Sequence, residues 1–155
     1  MGTVEAIFIT PRNGTALRSV DAIRAHAGKG PEGDRNFFAK GSPPKEIDRQ
    51  ITLIEAEAVD GARREYQVEL EPIETRRNIL TRGVALNHLV GREFRVGGVR
   101  LLGTMLCEPC SHLQKLTRKG VLKALVHRGG LCARILNDGD IRVGDEVQTS
   151  EVSSV

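Results

Sequence analysis

Short β-branched runs, each ended by glycine or by a cluster such as Asn137-Asp138-Gly139, constrain this chain more than any other feature. Glu93-Phe94-Arg95-Val96 alternates apolar with polar, meets Gly97-Gly98, and resumes the alternation in Val99-Arg100-Leu101-Leu102. A period of two is the signature of a strand, and the paired glycines supply the positive φ angles that a tight hairpin turn demands. Val4 to Thr10 reads as an opening strand, and Gln50 to Ile54 as a short apolar run of the fully buried kind. Leu131 to Leu136 is expected to return through Asn137-Asp138-Gly139 into Asp140 to Val143, after which Gly144-Asp145 bends the chain into a last strand, Glu146 to Thr149. Helical spacing occurs at Glu55 to Tyr66, where Ala58, Val59, Ala62 and Tyr66 share a face, acids come early and Arg63-Arg64 come late. Val121 to Val126 is a candidate for a second, short helix. The fold class is therefore mainly β, a barrel or sandwich with one or two short helices.

The 155 residues suit one domain with a core of its own, spanning 1–155. Residues 28–44, rich in Gly, Pro and Lys, break every periodic pattern and read as a long functional loop; 149–155 read as a frayed tail. No apolar run approaches the roughly 18 residues that cross a bilayer, and Glu5 stands where a signal peptide would be basic. Three cysteines form no disulfide scaffold, so the expected location is cytoplasmic. A net charge of +3 tolerates an anionic ligand. It does not point to nucleic acid: the chain has no Trp, one Tyr and four Phe, too few aromatic platforms for stacking bases, and its acids are mixed with its bases.

Chemistry concentrates in Leu106-Cys107-Glu108-Pro109-Cys110-Ser111-His112. Thiolates are nucleophiles and soft-metal ligands, and His112 beside Cys110 would favour the thiolate. Cys107 and Cys110 make half of a structural zinc site; Cys132, His112 and His127 could add donors, yet no second Cys-x-x-Cys follows. Both thiols could equally be inert and buried. Cys132 lies in an alternating run and reads as core, while His26 and His88 stand alone. Arginines that could hold phosphate or carboxylate occur in Gly33-Asp34-Arg35, Arg49-Gln50, Arg76-Arg77-Asn78 and Arg128-Gly129-Gly130. In the first of these Asp34 could hold the arginine or the turn.

Taken in order, Gly33-Asp34-Arg35, Arg49-Gln50-Ile51, Arg76-Arg77-Asn78-Ile79, Cys107-Glu108-Pro109-Cys110 and Val143-Gly144-Asp145 resemble the MOSC domain, named for the C-terminal part of molybdenum cofactor sulfurases. The resemblance runs from about Gly28 to Val147 and implies a β-barrel that binds a molybdenum-molybdopterin cofactor or carries sulfur on a cysteine. Cys110 matches the family's key cysteine, the molybdenum ligand of the amidoxime-reducing members; Arg76 and Asn78 match cofactor contacts, and Arg49 and Gln50 fall beside another. The resemblance thus implies Cys110 and His112 as catalytic residues, Cys110 as metal ligand, and Arg35, Arg49, Gln50, Arg76, Asn78 and Arg128 as cofactor-binding residues. No pyridoxal-phosphate sulfurase domain and no four-cysteine cluster accompany the motifs, which brings the chain nearest to compact bacterial reductases of N-hydroxylated purines. Three functions follow as expectations. One is a molybdenum-dependent oxidoreductase acting on N–O bonds of bases or amidoximes, served by a separate electron donor protein. Another is a carrier that takes a persulfide on Cys110 from a sulfur donor protein. The last is a non-catalytic anion-binding module.

Overall fold

The computed structural model describes residues 2–107, 125 and 128–149 of the chain. Eleven strands and one α-helix are present among them. Seven strands close a barrel in the order β11 (Glu146–Thr149), β7 (Glu93–Val96), β8 (Val99–Leu106), β9 (Leu131–Ile135), β5 (Ile51–Glu55), β6 (Ile79–Arg82) and β1 (Gly2–Ile9), with β1 pairing back onto β11. β2 (Arg18–Val20) extends β1 outside the ring, and β3 (Ala22–His26), β4 (Gly30–Pro31) and β10 (Gly139–Arg142) form a second, three-stranded sheet. All barrel pairs are antiparallel except β5 with β6.

The alternation of side chains sorts the core. Ile7, Leu53, Ile79, Leu101, Leu131 and Val147 fill the barrel. Their neighbours Phe8, Ile54 and Leu80 point outward and are covered by Ala58 and Val59 of α1 (Ala56–Tyr66). β5 is covered on both faces, so polar Gln50 and Thr52 are buried along with Ile51, Leu53 and Ile54. The helix begins where expected and ends at Gln67, whose left-handed φ of 55° lets its N–H reach the Ala62 carbonyl. Gly61, a poor helix former, is buried beneath the Arg128 guanidinium, which a Cβ there would strike.

The hairpin at Gly97-Gly98 forms as predicted, with the positive φ (58°) falling on Gly97 and not on Gly98. The predicted return of Asp140 to Val143 onto Leu131 to Leu136 does not form. β9 already has β8 on one edge and β5 on the other, so no ladder position is left, and β10 pairs with β3 instead. Asn137 enforces the departure: its Oδ1 accepts the Arg100 N–H at 2.6 Å and its Nδ2 donates to the Gly98 carbonyl at 3.1 Å. The 28–44 segment contains β4 and a set of turns. Asp34 organises them, its carboxylate accepting the N–H groups of Thr10 at 3.1 Å and Asn36 at 3.2 Å. Thr149 belongs to β11, opposite Phe94; 150–155 lie outside the described residues, as does the proposed helix over 121–126 apart from Leu125.

Candidate functional site

A cleft of about 480 Å³ opens where β8, β9 and β5 lie side by side. Thr52 of β5, Leu106 and Cys107 at the end of β8, and Cys132 of β9 form its barrel side. Asn13, Arg35, Asn36, Phe38 and Glu46 reach it from the connections before β2 and before β5, Arg49 from the 3-10 turn Ile47–Arg49, and Arg77 from the approach to β6. Three guanidinium-bearing residues against one carboxylate give the cleft a positive character suited to a phosphate or similar anion.

Each arginine is held by a different device. Arg35 donates from Nη2 to the Arg76 carbonyl at 2.7 Å and from Nη1 to the buried carboxylate of Asp34 at 3.3 Å. Asp34 therefore holds both the turn and the arginine. Arg77 donates from Nε to the Gly129 carbonyl at 2.7 Å and from Nη2 to the Cys107 carbonyl at 3.2 Å, fastening together the two ends of the segment between β8 and β9. Arg49 is exposed at the end of its turn.

Other expected cofactor ligands are employed elsewhere. Arg76 has a left-handed φ of 63°, and this rotation carries its side chain to the Thr15 carbonyl, at 2.9 Å from Nη1. Burial, then the nearby Arg35, lower its pKa, with Asp34 opposing; a guanidinium still stays charged at neutral pH. Asn78 is fully buried. Its Oδ1 accepts both the N–H (3.1 Å) and the hydroxyl (3.2 Å) of Thr52, and its Nδ2 donates to the Phe8 carbonyl at 3.2 Å. The amide is a staple between β1, β5 and β6, not a cleft donor. Gln50 is likewise buried, with Oε1 accepting the Ile135 N–H at 2.7 Å. Arg128 crosses α1 to the Glu57 carbonyl at 3.2 Å and the Glu65 carboxylate at 3.5 Å, and lines a separate hollow of about 230 Å³ with Glu55 and His88. In that hollow, burial above all raises the Glu55 pKa, aided by Glu57 and opposed by the Leu86 N–H, Arg128 and His88. Cys110 and His112 lie outside the described residues.

Asn13 and Asn36 are cleft residues that sequence reasoning did not select; Arg77 was noted only within its cluster and Cys132 chiefly as core. Cys132 is both core and wall, and it is joined to Cys107 as a disulfide with Cα atoms 5.7 Å apart. Among the described residues no three His, Cys, Asp or Glu side chains are grouped to hold a metal ion. A larger cavity, about 860 Å³, is lined by parts of the 83–93 segment, of β1 and of β11 and contains none of the expected site residues. The 480 Å³ cleft is the better candidate, because chemistry-bearing side chains rather than volume define it.

The MOSC domain family model matches residues 23–148. Among solved structures, the YuaD protein from Bacillus subtilis superposes with a TM-score of 0.80 at 18% identity, covering 97% of this chain and 98% of that one. YiiM from Geobacillus stearothermophilus gives 0.73 at 16% identity over 97% and 76% of the two chains. YiiM from Escherichia coli gives 0.69 at 18% over 99% and 72%. At these identities the likeness is one of fold. No curated protein matches the sequence.

Proposed function

The chain belongs to the MOSC domain family, which is associated with molybdenum-cofactor binding, and from that premise we propose that it is a molybdenum-cofactor protein that reduces N-hydroxylated bases or amidoximes. The observation that supports this reading most is the arginine-lined cleft with Cys107 in its wall. Cys110 follows Cys107 by three residues, a length of chain that reaches at most about 11 Å. The sequence has three cysteines, two of which are joined to each other, so Cys110 is the thiol left to act as a ligand.

The donor set fits the cofactor's anionic end. Arg35, Arg49 and Arg77, with Asn13 and Asn36, would hold its phosphate and a pterin edge, each charge-assisted hydrogen bond contributing about 1.5–3 kcal/mol. Cys110 would hold the metal through sulfur, a soft ligand. When bound, the cofactor supplies the two-electron chemistry at the N–O bond. Reduction of an N-hydroxyl group to N–H and water consumes two electrons and two protons, so a separate electron donor protein is part of the proposal. The polypeptide's share is orientation and electrostatics: Asp34 fixes Arg35, and Arg77 fixes the two chain ends around residues 107 and 129.

Expression in a host that makes the cofactor, followed by elemental mass spectrometry, tests the reading. Near-stoichiometric molybdenum in the wild type and none in Cys110→Ala is the expected result; equal metal in both removes Cys110 as ligand. The same unpaired thiol favours one rival, a sulfur carrier. That reading predicts an adduct of about 32 Da, one sulfur, on Cys110 after incubation with a desulfurase, in a protein free of molybdenum.

A further inference from the structure

We infer that Cys107 and Cys132 are a redox-active dithiol–disulfide couple, reached through the arginine-lined cleft by a small dithiol reductant. The Cα separation of 5.7 Å admits the bond without backbone movement. The backbone is held there independently of it: β8 and β9 are in register at Met105 opposite Cys132, and the Cys107 N–H donates to the Gly130 carbonyl at 2.7 Å. Either redox state therefore fits the same frame. Cys107 and Cys132 are only 8% and 3% exposed, and both border the cleft, so that is where a reductant meets them.

The cleft also favours the reaction. Arg35, Arg49 and Arg77 line the cleft that Cys107 and Cys132 border, so its positive field draws in a thiolate reductant. A reductant thiolate attacks one sulfur of the pair, the S–S bond breaks, and the other sulfur leaves as a thiolate. The reductant's second thiol then resolves the mixed disulfide. The reductant ends as a cyclic disulfide, having given two electrons, and its two protons end on Cys107 and Cys132. The bond closes a loop of sequence separation 25, and Cys110 falls within that stretch of the sequence. An anion held by the arginines would cover the route to the sulfurs; this last consequence alone rests on the anion-binding reading of the cleft.

The test uses the full chain carrying Cys110→Ser, so that one disulfide is possible. The oxidised protein is exposed to dithiothreitol without denaturant, with and without inorganic pyrophosphate, and free thiols are trapped with iodoacetamide and located by peptide mass mapping. Two adducts, on Cys107 and Cys132, are expected under native conditions. Saturating pyrophosphate should slow their appearance at least tenfold, and Arg49→Ala should abolish the protection. Thiols that never pair under an oxidant, or a bond reduced only in denaturant, would overturn the couple. Pyrophosphate that binds by calorimetry yet leaves the rate unchanged would overturn the cleft route. Failure of pyrophosphate to bind would count against the anion reading, while native reduction would still uphold the couple. No molybdenum enters the assay, so its outcome is independent of the cofactor proposal.

Discussion

Asn78 shows how one side chain can read as a ligand and serve as a joint. Its amide bonds to Thr52 twice and to Phe8 once, linking β5 and β1 beside β6. Replacing it with Ala would orphan the buried Thr52 N–H and the Phe8 carbonyl. Unpaired buried groups cost about 1–3 kcal/mol each, so Asn78→Ala should lose about 2–4 kcal/mol in denaturant unfolding before any cofactor is added. The neighbouring arginines make the complementary prediction. Arg77→Ala should lower molybdenum retention more than Arg76→Ala, measured as metal per protein after gel filtration. The Arg76-Arg77-Asn78 cluster was visible in the sequence as a place rich in donors. Which member faces the cleft was not, because the left-handed turn at Arg76 redirects its side chain, and a non-glycine φ of 63° has no sequence signature there. Glu55 carries a pH prediction. Its folded pKa is raised, so its contribution is fully present below the unfolded carboxylate range and is lost as pH rises through the raised value. Glu55→Gln should therefore raise the Tm near pH 7 and give no gain near pH 4, the two proteins converging as Glu55 protonates.

Elements with strong local patterns were legible, whereas their partners were less so. The helix Ala56–Tyr66 and the hairpin from Glu93 carry their own periodicity and stop signals. β10 carries a strand pattern too, but pairing is decided by which edges remain open. With β9 flanked on both sides, that information lay in distant strands. Glycine at 103 is another case. It sits at the register shift between β8 and β9, forms a bridge with Val90, and a Cβ there would collide with the Leu89 carbonyl oxygen. Gly103→Ala should force the backbone apart and lower the Tm by several degrees, whereas Gly98→Ala, in open space, should leave it nearly unchanged.

At the scale of the whole molecule, the barrel depends on contacts between residues far apart in the chain. The Cys107–Cys132 link is the covalent example: on chain-entropy grounds, closing a loop of separation 25 stabilises by about 3.5 kcal/mol, and reduction should shift the urea midpoint downward accordingly. The non-covalent example is the seam. Among the described residues the ring closes through two register pairs, Gly2 with Val147 and Thr3 with Glu146, reinforced by bonds of 2.9 Å from the Val4 N–H to the Asp145 carbonyl and from the Gly144 N–H to the Val4 carbonyl. During synthesis the first strand leaves the ribosome about 140 residues ahead of the last one, and until Glu146–Thr149 follows it, Gly2 and Thr3 on one side and Glu93–Val96 on the other have no partner for the ladder positions that strand fills. A nascent chain of this design waits with two open flanks, and ribosomes queued on one message would bring such flanks from successive copies within reach of each other.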